Sequence, residues 1–412
     1  GALRLRPDCA DLPYLLRSYF AWKMHLPFGF RQCDRGAPGR APGCGELRDN
    51  LALVETGLSV EAFNRFANGT VRDVVHSGNG RTALRDSATD FYPVPLLREA
   101  IRPGTLYADP YGHLLVVTRW VPQGADRYGV LVAAEAQPDG TIGLKRFWRG
   151  TFLFDPEIES VGAGFKAVRP LVYEGRGARA VANEALVDGS GYLPYSESQY
   201  AGTREDFYAA IEGMINPRAL DPLAMLIWLI DALEEAVRFR IVSVNNGLDY
   251  VRERDDVIAM PKGAAIFQTI GPWEDFSTPS RDMRLLIALD TVLEFPARVR
   301  RYPERFGLDP QRDDVERQVT ELQGSLEREL TARRIEYMRS NGRPHSLTLF
   351  ELAGRSTALE MAYNPNDCAE VRWGAVPGSD EMLTCLRRAP EPQYQRMQQY
   401  RAWFASRQRP VR

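Results

Sequence analysis

From Asp11 to Leu26, apolar residues recur at helical spacing: Leu12, Leu15, Leu16, Tyr19, Phe20 and Met24. The spacing predicts a helix with those six on its buried face, ended by Pro27 and Gly29. A Gly/Pro loop over 36–43 follows, then a second helical pattern from Asn50 to Phe66, closed by Asn68-Gly69. After Arg102-Pro103-Gly104 the period changes. Thr105–Tyr107, Leu114–Trp120, Val130–Ala136 and Thr141–Phe147 are β-rich runs. Turn residues separate them at Pro110-Tyr111-Gly112, Pro122-Gln123-Gly124 and Pro138-Asp139-Gly140, which predicts an antiparallel meander. Residues 151–195 are Gly-rich and show no period. From Thr203 the pattern is helical again, over Arg204–Met214, Pro222–Arg238, Asp282–Val299 and Asp314–Arg339. The last carries opposite charges at helical spacing and reads as a solvated face.

This order of elements is α+β. A chain of 412 residues exceeds what one core organises. The expected division is a helix-on-sheet core over 1–200 with an insertion at about 33–90, a mainly helical domain over 201–345, and a disulfide-closed tail over 346–412.

Charge removes some functions. Lys and Arg number 52 against 54 Asp and Glu, a net charge of −2, so no basic excess is available for a phosphate backbone and no nucleic-acid partner is expected. The longest apolar runs, such as Leu223 to Ile230, are too short to span a membrane. No signal peptide is visible, and Gly1-Ala2-Leu3 reads as the trimmed start of a mature chain.

Five cysteines change the picture further. Cys33 and Cys44 flank one loop of turn residues, and Cys368 and Cys385 flank another. Short loops of this kind close readily with a disulfide. Pairing those four implies an oxidising compartment and leaves Cys9 over. Cys9 sits just before the first helix, where free backbone N–H groups and the helix dipole favour a thiolate and can hold an oxyanion. Asp8 and Asp11 also suit a helix N-terminus.

A thiolate needs a base, and the chain has four histidines. His25 is on the same helix, roughly 24 Å along the axis from Cys9 at 1.5 Å per residue. His76 lies in a loop and His345 in the C-terminal part. His113 opens a strand, a rigid place from which to face a helix N-terminus. No histidine pair or close cysteine pair has zinc-ligand spacing, and Gly69, Gly78 and Gly80 form no nucleotide-binding pattern, so neither metal nor cofactor is expected. Asn364-Pro365-Asn366-Asp367 has no EF-hand spacing and reads as a turn rather than a calcium site.

The segment Asp8-Cys9-Ala10-Asp11-Leu12, its helix and Leu26-Pro27 resemble the nucleophile segment of the NlpC-type cell-wall peptidases, a papain-like family. Arg102-Pro103-Gly104-Thr105-Leu106-Tyr107 followed by Gly112-His113-Leu114-Leu115-Val116-Val117 is similar to that family's Pro-Gly turn and histidine strand. The chain departs from the pattern at Ala10, Asp11 and Thr105. The resemblance covers about residues 5–150 and implies a cysteine hydrolase of amide bonds: Cys9 attacks, His113 relays the proton, and a polar residue on the next strand orients His113. Glu135 and Gln137 share a face of that strand, and the resemblance favours Glu135, because the family's polar residue commonly precedes a small residue, here Ala136. The resemblance also implies a peptide or peptidoglycan-fragment substrate and a periplasmic or secreted location. Two alternatives stay open. One is transglutaminase-like acyl transfer with the same residues. The other is a non-catalytic binding or scaffold protein whose helical half meets a protein partner.

Overall fold

The structure, a computed structural model, describes residues 2–410 except 6, 9, 38, 111–112, 125–126, 137–141, 157–161, 176, 253, 255, 268–270 and 310–313. The class is α+β with antiparallel sheets. Contacts divide the chain into two units, 1–217 and 218–410.

The first unit runs α1 (Leu12–Met24), β1 (Gly29–Cys33), β2 (Cys44–Asp49), α2 (Leu51–Glu55), α3 (Val60–Arg65), β3 (Phe91–Pro93), β4 (Leu106–Ala108), β5 (Leu114–Val121), β6 (Val130–Ala136), β7 (Ile142–Arg146), β8 (Gly164–Val168), β9 (Leu171–Glu174), β10 (Gly177–Ala180) and α4 (Arg204–Ile215). Its main sheet has the order β3-β8-β4-β5-β6-β7. The four strands of the expected meander are neighbours in it, close to their expected limits. β8 comes from the Gly-rich stretch without a period and inserts between β3 and β4, so that Lys166 meets both Pro93 and Leu106.

Alternation gives the sheet two buried faces. Leu106, Leu114, Val116 and Ala136 share one core with Leu12, Tyr14 and Leu15 of α1 and Phe63 of α3. Tyr107, Leu115, Val117, Leu131, Ala133 and Phe165 share the other with Phe152, Phe154 and, from α4, Phe207, Tyr208 and Ile211. Phe154 and Phe207 stack there with centroids 3.7 Å apart. α4 begins in a capping box, Asp206 N–H donating to Thr203 Oγ1 at 3.2 Å and Thr203 N–H to Asp206 Oδ2 at 2.8 Å. Thr203→Ala is expected to cost about 1 kcal/mol in urea unfolding, with the m-value unchanged.

The buried face of α1 differs from the one its spacing predicts. Leu12, Tyr14, Leu15, Ser18, Ala21 and Trp22 are buried, whereas Leu16, Phe20 and Met24 are 38%, 54% and 63% exposed. The aromatic anchors rotate the helix. Trp22 stacks on Phe63 at 4.6 Å, and the Tyr14 hydroxyl donates to Asp90 Oδ2 at 2.7 Å. Asp90 also accepts from the backbone N–H of Arg31 and from Asn79 Nδ2. The 33–90 segment is thereby tied to α1, and its hairpin β1–β2 is closed by the Cys33–Cys44 disulfide.

The second unit runs α5 (Pro222–Arg252), α6 (Pro272–Phe276), α7 (Pro279–Leu293), α8 (Phe295–Arg301), α9 (Asp314–Ala332), the hairpin β11 (Arg334–Met338) and β12 (Pro344–Thr348), then α10 (Leu349–Gly354), α11 (Ser356–Leu359), α12 (Ala369–Arg372) and α13 (Glu391–Ala405). α9 follows its amphipathic pattern, burying Val315, Val319, Leu322, Leu326 and Leu330. The pattern expected to continue to Arg339 instead ends at Ala332, because Ile335 and Tyr337 alternate into the core as a strand. Cys368 and Cys385 form the second disulfide. Asn364 to Asp367 is a buried turn, with Asn366 bonded to Ile258 and Gln393 and Asp367 accepting from Ala389 N–H. Among the described residues no helix is long and apolar enough to cross a membrane.

Candidate functional site

The segment entering α1 is organised by two carboxylates. Asp8 Oδ1 accepts from the N–H groups of Ala10 and Asp11, at 2.9 and 3.3 Å, and Asp11 Oδ1 accepts from Asp8 N–H at 2.6 Å. Asp11 Oδ2 lies 3.5 Å from Arg72 Nε. The Asp11 carboxyl is pushed up to about 7, first by burial and then by the charge of Asp8, against the pull of the backbone hydrogen bond and of Arg72. Two of the N–H groups expected to hold an oxyanion, those of Ala10 and Asp11, are therefore already engaged by Asp8. Cys9 itself lies outside the described residues. Of the five cysteines in the chain, the two disulfides use the other four.

His113 stands at the head of β5. Its carbonyl accepts from Asp109 N–H at 2.9 Å, which adds a rung beyond the Ala108–Leu114 pair. Alternation then puts His113 on the face of Leu115 and Val117, the α4 side of the sheet. Leu114 and Val116 take the side that packs on α1. Glu135 alternates with Leu131 and Ala133 on β6 and so shares the face of His113. Because Val116 pairs with Ala134, Glu135 lies opposite Leu115, two rungs from His113. Glu135 is 8% exposed, with Oε1 3.2 Å from Lys145 Nζ on β7. Gln137 lies outside the described residues.

Asp109 belongs to no motif in the sequence. It is fully buried, and the β4–β5 turn sets it across the last rung from His113, on the same face. The available signal was its place: a carboxylate just before Pro110, three residues short of Gly112-His113, closes a hairpin onto that histidine.

The other histidines have structural places. His25 ends α1 in a left-handed conformation, φ 54°. His76 holds the loop before β3, with Nε2 2.7 Å from Cys33 O and Nδ1 accepting from Gly78 N–H at 3.0 Å. In the second unit, His345 Nε2 lies 3.3 Å from Glu381 Oε2.

Chemically, the arrangement is a histidine at a strand head with two buried carboxylates on its own face, in a unit whose one remaining thiol is on the segment leading into α1. No protein-family model, no curated protein and no solved structure matches the chain.

Proposed function

We propose that the first unit is a papain-like cysteine hydrolase of amide bonds, acting on cell-wall peptides outside the cytosol. Cys9 attacks the carbonyl carbon as a thiolate, and His113 passes the thiol proton to the leaving amine. Water then releases the acyl group with His113 as base. Glu135, on the neighbouring strand, or Gln137 orients the imidazole, and Asp109 supports it from across the hairpin. The observation that carries this reading is the shared face: His113, at the head of β5, and Glu135, on β6, lie on the same side of the meander, two rungs apart. The disulfides support an oxidising compartment, periplasmic or secreted.

A second reading, a binding protein on the same scaffold, is favoured by one pair of observations. α1 packs on the face opposite His113, and Asp8 engages the N–H groups of Ala10 and Asp11. One experiment separates the two. An unperturbed thiol, with a pKa of about 8.5, is well under ~1% thiolate at pH 6. In the hydrolase reading, iodoacetamide at pH 6 alkylates Cys9 of the native chain at least ~10-fold faster than in the urea-unfolded chain. His113→Ala removes that advantage, and Cys9→Ala shows no labelling by mass spectrometry. Equal or slower labelling of the native chain sinks the hydrolase and leaves the binding protein.

A further inference from the structure

At the start of α7 in the second unit, two fully buried arginines meet one buried carboxylate. Arg372 is fully buried, and among the described residues its side chain makes one hydrogen bond, from Nη2 to Thr278 Oγ1 at 2.9 Å. Its Nε and Nη1 meet no acceptor among the described residues. Arg240, equally buried, gives Nε and Nη2 to the two oxygens of Asp282 at 2.8 and 2.9 Å, and its Nη1 also meets no acceptor among the described residues.

Both guanidiniums converge on the same turn, the start of α7. Asp282 N–H donates to Thr278 O at 2.7 Å, so their two anchors are one helical turn apart. Thr278 occupies the N-cap position but its side chain caps nothing; its hydroxyl accepts from Arg372 instead. The positive end of a 15-residue helix therefore faces an arginine. Two guanidiniums stand against one carboxylate. The other buried acid whose charge Arg372 feels, Asp367, is held elsewhere, by Ala389 N–H and Arg388 Nε. Burial and the repulsion of Arg240 pull Arg372 down to about 9, which leaves it cationic at neutral pH. The backbone accommodates it deliberately. α5 carries Gly247 where the guanidinium crosses, and a Cβ there would lie 2.9 Å from Arg372 Nη1 and 2.9 Å from Phe276 O.

A buried guanidinium with a single neutral partner is costly, and the remedy is an anion with free lone pairs. We propose that the second unit binds one small monovalent anion, of halide size, beside the Arg372 guanidinium at the first turn of α7. The excess of one positive charge sets the valence. The complete burial of Arg240 and Arg372 sets the size, since neither a peptide carboxylate nor a phosphate ester can follow its chain into that place. The ion is structural: it links α5, α7 and α12 by satisfying what their side chains leave open.

The test uses the full chain. Thermal unfolding is followed in sodium chloride and in sodium gluconate at equal ionic strength. The expected result is a saturable upward shift of the midpoint with chloride, reproduced by bromide and absent in gluconate. Crystals grown in bromide are expected to show an anomalous peak in contact with the Arg372 guanidinium. Arg372→Met is expected to lose the chloride-dependent shift. If that variant fails to fold, the anomalous map of the unaltered chain decides alone. Equal midpoints in all three salts, a bromide peak elsewhere only, or ordered water beside Arg372 without anomalous signal overturns the proposal.

Discussion

Asp282→Ala is expected to destabilise the second unit by about 3–5 kcal/mol, the cost of stranding a buried charge. Asp282 and Arg240 are 0% and 1% exposed, and their bidentate pairing uses both carboxylate oxygens. With the carboxylate gone, Arg240 keeps a distant contact to Ala362 O at 3.5 Å and the face of Trp373, 4.6 Å from its guanidinium carbon. A ring face is a weak substitute for a carboxylate. The same substitution also exposes Arg372 to an unneutralised neighbour. The loss belongs to the broken pair rather than to attraction within it, because two charges withdrawn from water regain little more than their desolvation cost. Arg240→Met with Asp282→Leu is therefore expected to recover most of the stability that Asp282→Ala loses. Urea unfolding of the single and double variants measures this. A single variant that costs under ~1 kcal/mol, or a double variant worse than the single, refutes the argument.

That pair shows where the limits of sequence reading fall. Asp282 is legible as the start of a helix, and the apolar period over Pro222–Arg238 places Arg240 beyond the end of another. α5 in fact continues to Arg252. Its second half turns on a buried arginine and a glycine, residues that local pattern assigns to surface and to loop. The pairing of 240, 282 and 372 is purely tertiary. In the first unit the meander was legible because four strands alternate within short turns, and the disulfides because each closes a loop of turn residues. β8 was not, because Gly164 at φ 114° and the buried Lys166 interrupt the apolar alternation that marks a strand. The candidate residues were legible as types and spacings, but their faces follow from register. His113 shares a face with Asp109 because the β4–β5 ladder runs one rung past Ala108, and with Glu135 because Val116 pairs with Ala134 on β6.

Lys166 supplies the other large expected effect. Its side chain is buried on the α1 side of β8, with Nζ donating to Gly80 O at 2.9 Å. Burial, and then repulsion by Arg81 and Arg169, pulls its pKa down from 10.5 to about 7. Below pH 7 both folded and unfolded chains hold the proton, and the cost of burying the charge stands in full. Between pH 7 and 10.5 the unfolded chain is protonated where the folded chain is not, so this residue makes stability rise with pH across that window. Lys166→Met keeps the volume and removes the charge. At pH 6 it is expected to stabilise the first unit by on the order of 3 kcal/mol, after about 1 kcal/mol is deducted for the hydrogen bond lost to Gly80. The advantage is expected to shrink steadily toward pH 9.5, as the native chain sheds the proton that made the site costly. Urea unfolding of both proteins at pH 6, 7.5 and 9.5 isolates the residue, since every other titrating group cancels in the difference. A gap between the two that stays constant over that range means that Lys166 is neutral throughout or charged throughout, and that its site is held by packing rather than by protonation.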